Sequence, residues 1–202
     1  MDLSVQNTNM PRPIEFDRSK AVNRALVLFW QKGYQATSLS DLLETTNISR
    51  SSFYAAFTDK RIFYIECLDL FAERTLELLQ TARAEKPPVE ALENFFKRNF
   101  MGMKGIGVKK NWGCMLVNTV LEMAGVDDEL LERSSHHLNR MELGFRELLE
   151  EAGASPLKAQ ELAAMLMLFN EGVRVSSRRR LPDAQHLQTI DTTFRLIRSA
   201  LA

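Results

Sequence analysis

The stretch TSLSDLLETTNISRSSFYAAFTDK, Thr37 to Lys60, decides the fold. Ser38 stands just before Leu39 and three residues before Asp41, which is close to a capping box and marks a helix start. Leu39, Leu42 and Leu43 share one face of that helix. Thr45, Thr46 and Asn47 follow, and their short polar side chains compete with the backbone and favour a turn. Beyond the turn Ile48 can plug the core and Ser49 can cap a second helix, with Phe53 and Phe57 inward and Arg50, Ser51, Ser52 and Tyr54 outward. Small hydroxyls and an arginine at the start of a short helix suit entry into a DNA major groove, where bulk is excluded and hydrogen-bonding edges are read. The stretch therefore reads as a helix-turn-helix, with a further helix capped by Thr58 or Asp59 at its end.

Working outward, the 202 residues suffice for one large domain or two small ones, and 45% hydrophobic content supports an ordinary core. No run of about 18 uncharged apolar residues occurs, and residues 1–16 lack the basic-then-apolar order of a signal peptide, so a cytoplasmic protein without a membrane partner is expected. Cys67 and Cys114 are too few and too far apart for a disulfide framework or a usual zinc site. The net charge is zero, but its distribution is uneven. Arg12 to Arg61 holds eight basic residues against five acidic, a net of +3, whereas Ile62 onward holds 18 against 20. A mildly basic head on a neutral body is compatible with DNA binding.

In chain order, residues 1–16 are polar, contain Pro11 and Pro13, and read as a mobile arm. A first helix spans about Arg18 to Lys32 and ends at Gly33. After the two motif helices, a long fourth helix runs to about Ala84, with Ile62, Ile65, Leu68 or Asp69, Ala72, Leu76 and Leu79 as its expected linking face. Further helices are expected at about Val89 to Met103, Cys114 to Met123, Asp127 to Ala152, Pro156 to Arg180 and Asp183 to Leu201, with a glycine-rich connection from Gly102 to Gly113. The arginines at 178–180 could be taken for a nucleic-acid patch, but cations at a helix C-terminus that complement its macrodipole are the better reading. The whole is an all-α chain of nine helices.

Pro13-Ile14-Glu15-Phe16-Asp17, then Ala25 to Ser38 with Phe29-Trp30 and Gly33-Tyr34, and finally Ile48 to Lys60 with Phe53-Tyr54, Phe57 and Lys60, resemble the DNA-binding domain of the tetracycline-repressor (TetR) family. The body resembles that family in outline, through Gly113 to Asn118 and the terminal helix pair. The resemblance implies a two-domain architecture: an arm at 1–16, a DNA-binding domain at 17–60, and an effector-binding and dimerisation domain at 61–202. It implies a ligand-responsive repressor on a palindromic double-stranded operator, with Arg50, Ser51 and Ser52 toward bases, Thr37, Tyr54 and Lys60 on phosphates, and Arg12 in the minor groove. Ala56 departs from the pattern, since many relatives carry a polar group there.

One reader helix covers only a few base pairs, so useful affinity needs a twofold dimer. The seam of Leu187, Ile190, Phe194, Ile197 and Leu201, with Leu166 and Val173 on the preceding helix, is the expected homodimer interface; packing within the subunit is the competing reading. Phe96, Phe100, Trp112, Met115 and Phe169 as a set fit an apolar effector cavity with Asn118, Glu122 and His137 as candidate polar contacts; ordinary core packing is the competing reading for each apolar one. Cys114 has two readings. It lies near a helix N-terminus with Lys109 and Lys110 upstream, as a thiol sensor of electrophiles or oxidants would, and it is also what a buried small hydrophobe after a required glycine looks like. The three histidines make no metal spacing with either cysteine, and no phosphate loop or nucleophile elbow is present, so neither catalysis nor a cofactor is expected.

Overall fold

The computed structural model describes residues 16–101, 112–179 and 181–202. Arg12, the arm before residue 16, and the glycine-rich segment at 102–111 lie outside the described residues, as does Arg180. Nine α-helices occur among those described: α1 Arg18–Lys32, α2 Leu39–Thr46, α3 Arg50–Phe57, α4 Lys60–Glu85, α5 Pro88–Met101, α6 Met115–Met123, α7 Asp128–Glu151, α8 Pro156–Ser176 and α9 Asp183–Leu201.

Local chemistry sets the head. The Asp17 carboxylate accepts from the Lys20 N–H at 3.0 Å and starts α1. Ser38 and Asp41 form the expected capping box, Asp41 N–H to Ser38 Oγ at 3.1 Å and Ser38 N–H to Asp41 Oδ2 at 2.8 Å. Those bonds, Ser38 first and Lys32 after it, hold the Asp41 pKa down to about 2. Asn47 turns the chain in the left-handed region (φ 57°, ψ 44°), which an asparagine tolerates, and Ile48 N–H closes back on Leu43 O at 3.2 Å. Ser49 then caps α3 by accepting from Ser52 N–H at 3.1 Å. Of the two candidate caps for α4, Asp59 takes the role, accepting from Ile62 N–H at 2.8 Å.

The aromatic side chains that point inward make one head core. Phe57 meets Phe63 of α4 at 4.0 Å between centroids, Phe53 meets Phe63 at 5.4 Å, and Phe29 of α1 meets Tyr64 edge-on at 4.8 Å. The 26 residues of α4 carry this core onward into the body. Leu68, Ala72 and Leu79 of the expected face are buried, but Phe63, Tyr64, Cys67, Phe71, Thr75 and Ala82 are buried as well, while Ile62 is 45% exposed and Ile65 only half-buried. The reason is that α4 packs against α1, α5 and α7 together, so its buried surface wraps around the axis.

In the body, α7 pairs with α8 and α6, and α9 packs on α5. Phe96 is the centre of an aromatic cluster, 5.5 Å from Phe145 and 5.2 Å from Phe194. The seam of α9 is thus spent inside its own subunit: Ile190, Phe194 and Ile197 are sealed, as are Leu166 and Val173 of α8, while Leu187 and Leu201 are half-buried. For the central row this is the competing reading, packing within the subunit, because α5 already covers it. The helix expected to reach Arg180 ends at Ser176 and tightens into a 3-10 turn, Ser177–Arg179. Ser177 Oγ donates to Arg174 O at 2.7 Å and so competes with the regular ladder.

Candidate nucleic-acid interface

The outer face of α3 carries Arg50, Ser51 and Tyr54, all exposed, and Ser52, half-buried, over the sealed Phe53 and Phe57. Arg50 makes no ion pair or hydrogen bond among the described residues, so its five donors are free for an external acceptor. Ser51 and Ser52 lie within 3.0 and 2.9 Å of Ser49 Oγ, giving a compact hydroxyl cluster at the helix start. The Tyr54 ring packs edge-on against Phe53 at 5.7 Å, and the residue is 47% exposed. Ala56 is half-buried against the core, which leaves no polar group at that step.

Two of the expected phosphate ligands are committed elsewhere. Thr37 is fully buried, and its hydroxyl donates to Gly33 O at 2.6 Å. It closes the loop between α1 and α2 from inside and has no surface for a phosphate. The Lys60 ammonium donates to Tyr34 O and Thr37 O, each at 2.8 Å, and sits 4.2 Å from the centroid of the Tyr34 ring. Partial burial lowers its pKa. Two of its three donors are therefore spent on holding the loop, a use that spacing alone does not reveal.

The same loop is gripped from the body. Glu122, near the end of α6, accepts the backbone N–H of Tyr34 at 3.0 Å and of Gln35 at 2.7 Å. Gly33 permits this approach: its φ is 87°, and a Cβ there would stand 2.9 Å from Glu122 Oε2. Arg61 binds Asp127 through a fork at 2.9 and 3.0 Å and also reaches Glu129, which raises its pKa. The Trp30 indole of α1 donates to Gly113 O at 3.3 Å, just ahead of α6, and Tyr64 shares a 2.6 Å hydrogen bond with Thr119 within α6. None of these long-range ties has a local signature in the sequence.

Glu122, expected among the effector contacts, is thus bonded as a strut between head and body. His137, expected there too, is bonded within the body. Its Nε2 lies 2.8 Å from Asp69, which Arg133 also binds at 2.8 Å through Nε. Burial would raise the Asp69 pKa, but hydrogen bonds from His137 and then Arg133 bring it down to about 2. The other expected cavity residues divide into two groups. Phe96 and Phe169 stack at 5.6 Å, and Phe100 stacks on His186 at 4.9 Å, on the side toward α9. Trp112 meets Trp30 at 6.1 Å on the side toward the head, where Asn118 donates to Trp112 O at 2.9 Å and accepts from Arg178 at 3.1 Å. Met115 and Cys114 are sealed at the start of α6, with Cys114 only 6% exposed.

Comparison with known proteins places this geometry. The family model for bacterial regulatory proteins of the tetR family matches residues 22–67, and that for the LmrA/YxaF-like transcriptional regulator C-terminal domain matches residues 88–193. The chain is 28% identical to the HTH-type transcriptional repressor ComR of Escherichia coli (strain K12), over 92% of this chain and 90% of that protein. It is 29% identical to the HTH-type transcriptional regulator YezE of Bacillus subtilis (strain 168), over 64% of this chain and 68% of the relative. Its fold matches that of a cysteine-substituted TetR-family regulator CifR, solved with 26-base-pair operator DNA, with a TM-score of 0.77, 24% identity, and coverage of 92% of this chain and 98% of that one. With both its head and more than half of its length matched, the chain belongs to the TetR family of bacterial transcriptional regulators.

Proposed function

We propose that this regulator is a repressor that binds a palindromic double-stranded operator as a homodimer and lets go when a small effector occupies the body. Residues 17–60 act as the DNA-binding domain and 61–202 as the effector and dimer domain. The observation that carries the reading is the outer face of α3, where Arg50 is exposed and unpaired among the described residues while both phenylalanines beneath it are sealed. Arg50 would offer two parallel donors to a guanine, Ser51 and Ser52 hydroxyl contacts to bases, and Tyr54 a phosphate contact. Thr37 and Lys60 support this indirectly by fixing the loop on which α2 and α3 are set. The repressor ComR and the operator-bound CifR support it by likeness.

The homodimer would use a different surface from the α9 seam. Leu157, Leu168 and Val175 fall on one line of α8 and are 67%, 71% and 45% exposed, and Leu196 of α9 is 65% exposed. Such an apolar stripe along one helix suits a second copy.

The test is a binding titration of Arg50→Ala on operator DNA selected with the purified protein. Affinity should fall by about 1–3 kcal/mol, roughly ten- to a hundredfold, with a smaller loss on unrelated duplex. Equal losses on both DNAs would deny Arg50 a reading role.

A further inference from the structure

Arg174 of α8 is the most enclosed cation of the molecule's described part, at 3% exposure. Its Nη1 donates to Asn99 O near the end of α5 and its Nη2 to Gly113 O at 2.6 Å, while Nε has no partner. No carboxylate pairs with it among the described residues. Arg61, Arg83 and Arg133 are all more exposed, yet each faces an aspartate or glutamate. Burial pushes the Arg174 pKa down. A desolvated cation held by two carbonyls and the Cys114 thiol, with no carboxylate beside it, is a weakly compensated charge of the kind that structures otherwise avoid.

The guanidinium is aimed at a second electropositive feature. It faces the Cys114 side chain, and Cys114 is the N-cap of α6 with no side-chain capping bond. The first backbone N–H groups of this nine-residue helix therefore carry no cap from that residue, and they add the positive end of a helix dipole to the buried cation. Gly113 shapes the corner: its φ is 76°, and a Cβ there would stand 3.1 Å from Asn118 Oδ1 and 3.3 Å from Arg174 O. Met115 beside it is sealed and apolar.

We propose that the corner formed by Arg174 and the N-terminus of α6 is the seat for the anionic head of the effector, a small amphipathic monocarboxylate. The proposal rests on the effector-responsive reading above and narrows its chemistry from apolar to apolar with one negative charge. One carboxylate neutralises the single buried cation, meets the unpartnered Nε–H and caps α6. The seat is wired to the head at both ends of α6. Gly113 O, which Arg174 holds, also accepts from Trp30 of α1, and Glu122, about 10 Å further along the helix at 1.5 Å per residue, holds the α1–α2 loop.

Trp30 and Trp112 are the only tryptophans, so intrinsic fluorescence reports on this corner. The experiment titrates octanoate and octanamide into the full-length protein, reading tryptophan emission and melting temperature. Octanoate should give a saturable response, with octanamide about tenfold or more weaker, as loss of a charge-assisted contact requires. Arg174→Met should abolish the preference for the acid, and Arg174→Lys, which keeps the charge without the fork, should retain part of it. Equal responses to acid and amide, no saturable response to octanoate, or an undiminished acid preference in Arg174→Met would each overturn the seat. Should Arg174→Met fail to fold, Arg174→Lys decides: acid affinity equal to wild type overturns the guanidinium's role. A saturable response that leaves operator affinity unchanged would sink the effector-release reading while leaving the seat intact.

Discussion

Helices α3 and α9 are both amphipathic, yet they use that pattern to opposite ends. In α3 the apolar row of Phe53 and Phe57 closes the head and leaves the polar row outside, as the spacing implies. In α9 the row of Ile190, Phe194 and Ile197, regular enough to suggest a seam between two copies, closes on α5 of its own subunit. The difference teaches that periodicity states which side of a helix is buried and is silent on what buries it. In α3 the partner is supplied by neighbours within a few dozen residues; in α9 it lies about a hundred residues away in sequence, in Phe96.

The largest effect that would break this comparison belongs to Phe194. Phe194→Ala should cost about 3–5 kcal/mol in denaturant unfolding, independent of protein concentration, because it opens a cavity in the subunit core. Leu168→Glu on the exposed line of α8 should instead leave the fold intact and shift sedimentation toward monomer. If Phe194→Ala merely weakened association, the intrasubunit seam would be wrong.

A middle-sized effect sharpens the link between the two regions. Glu122→Ala removes the acceptor of two backbone N–H groups, and with the site partly exposed we expect a loss of about 1–2 kcal/mol, read as a lower melting temperature and faster hydrogen exchange at Tyr34 and Gln35. Unchanged exchange at those two amides would remove Glu122 as the strut.

The smallest lies in the head. Thr58 sits at φ 64°, ψ −61° with Asp59 N–H bonded to Phe57 O at 2.6 Å, a tight γ-turn that a β-branched residue occupies at a cost. Thr58→Gly should raise stability by about 1 kcal/mol, or a few degrees of melting temperature in a chain of this size. A decrease would mean that the threonine side chain compensates for the turn it strains.

Much of the head was legible because its signals are local. Asp17, Ser38, Ser49 and Gly33 act within three or four residues of themselves, and the boundaries of α1 and the starts of α2 and α3 follow from them. Lys60 and Thr37 have further bonds that the sequence does not reveal for the opposite reason: tertiary packing turns the Thr37 hydroxyl and two of the Lys60 donors onto loop carbonyls. Glu122 and His137 look like polar contacts for a ligand until the neighbours that bind them, Tyr34 and Gln35 for one and Asp69 for the other, are brought close by the fold.

The sequence by itself therefore determined the all-helical class, the helix-turn-helix and which face of α3 stays outside, since caps, turns and periodicity are written in neighbouring residues. Only the tertiary structure decided which apolar rows stay inside one subunit, which carboxylate ties head to body, and that Arg174 is buried without a counter-charge. Each of those depends on partners tens of residues apart, and the free energy of a charge or a phenylalanine is set by what surrounds it once the chain has closed.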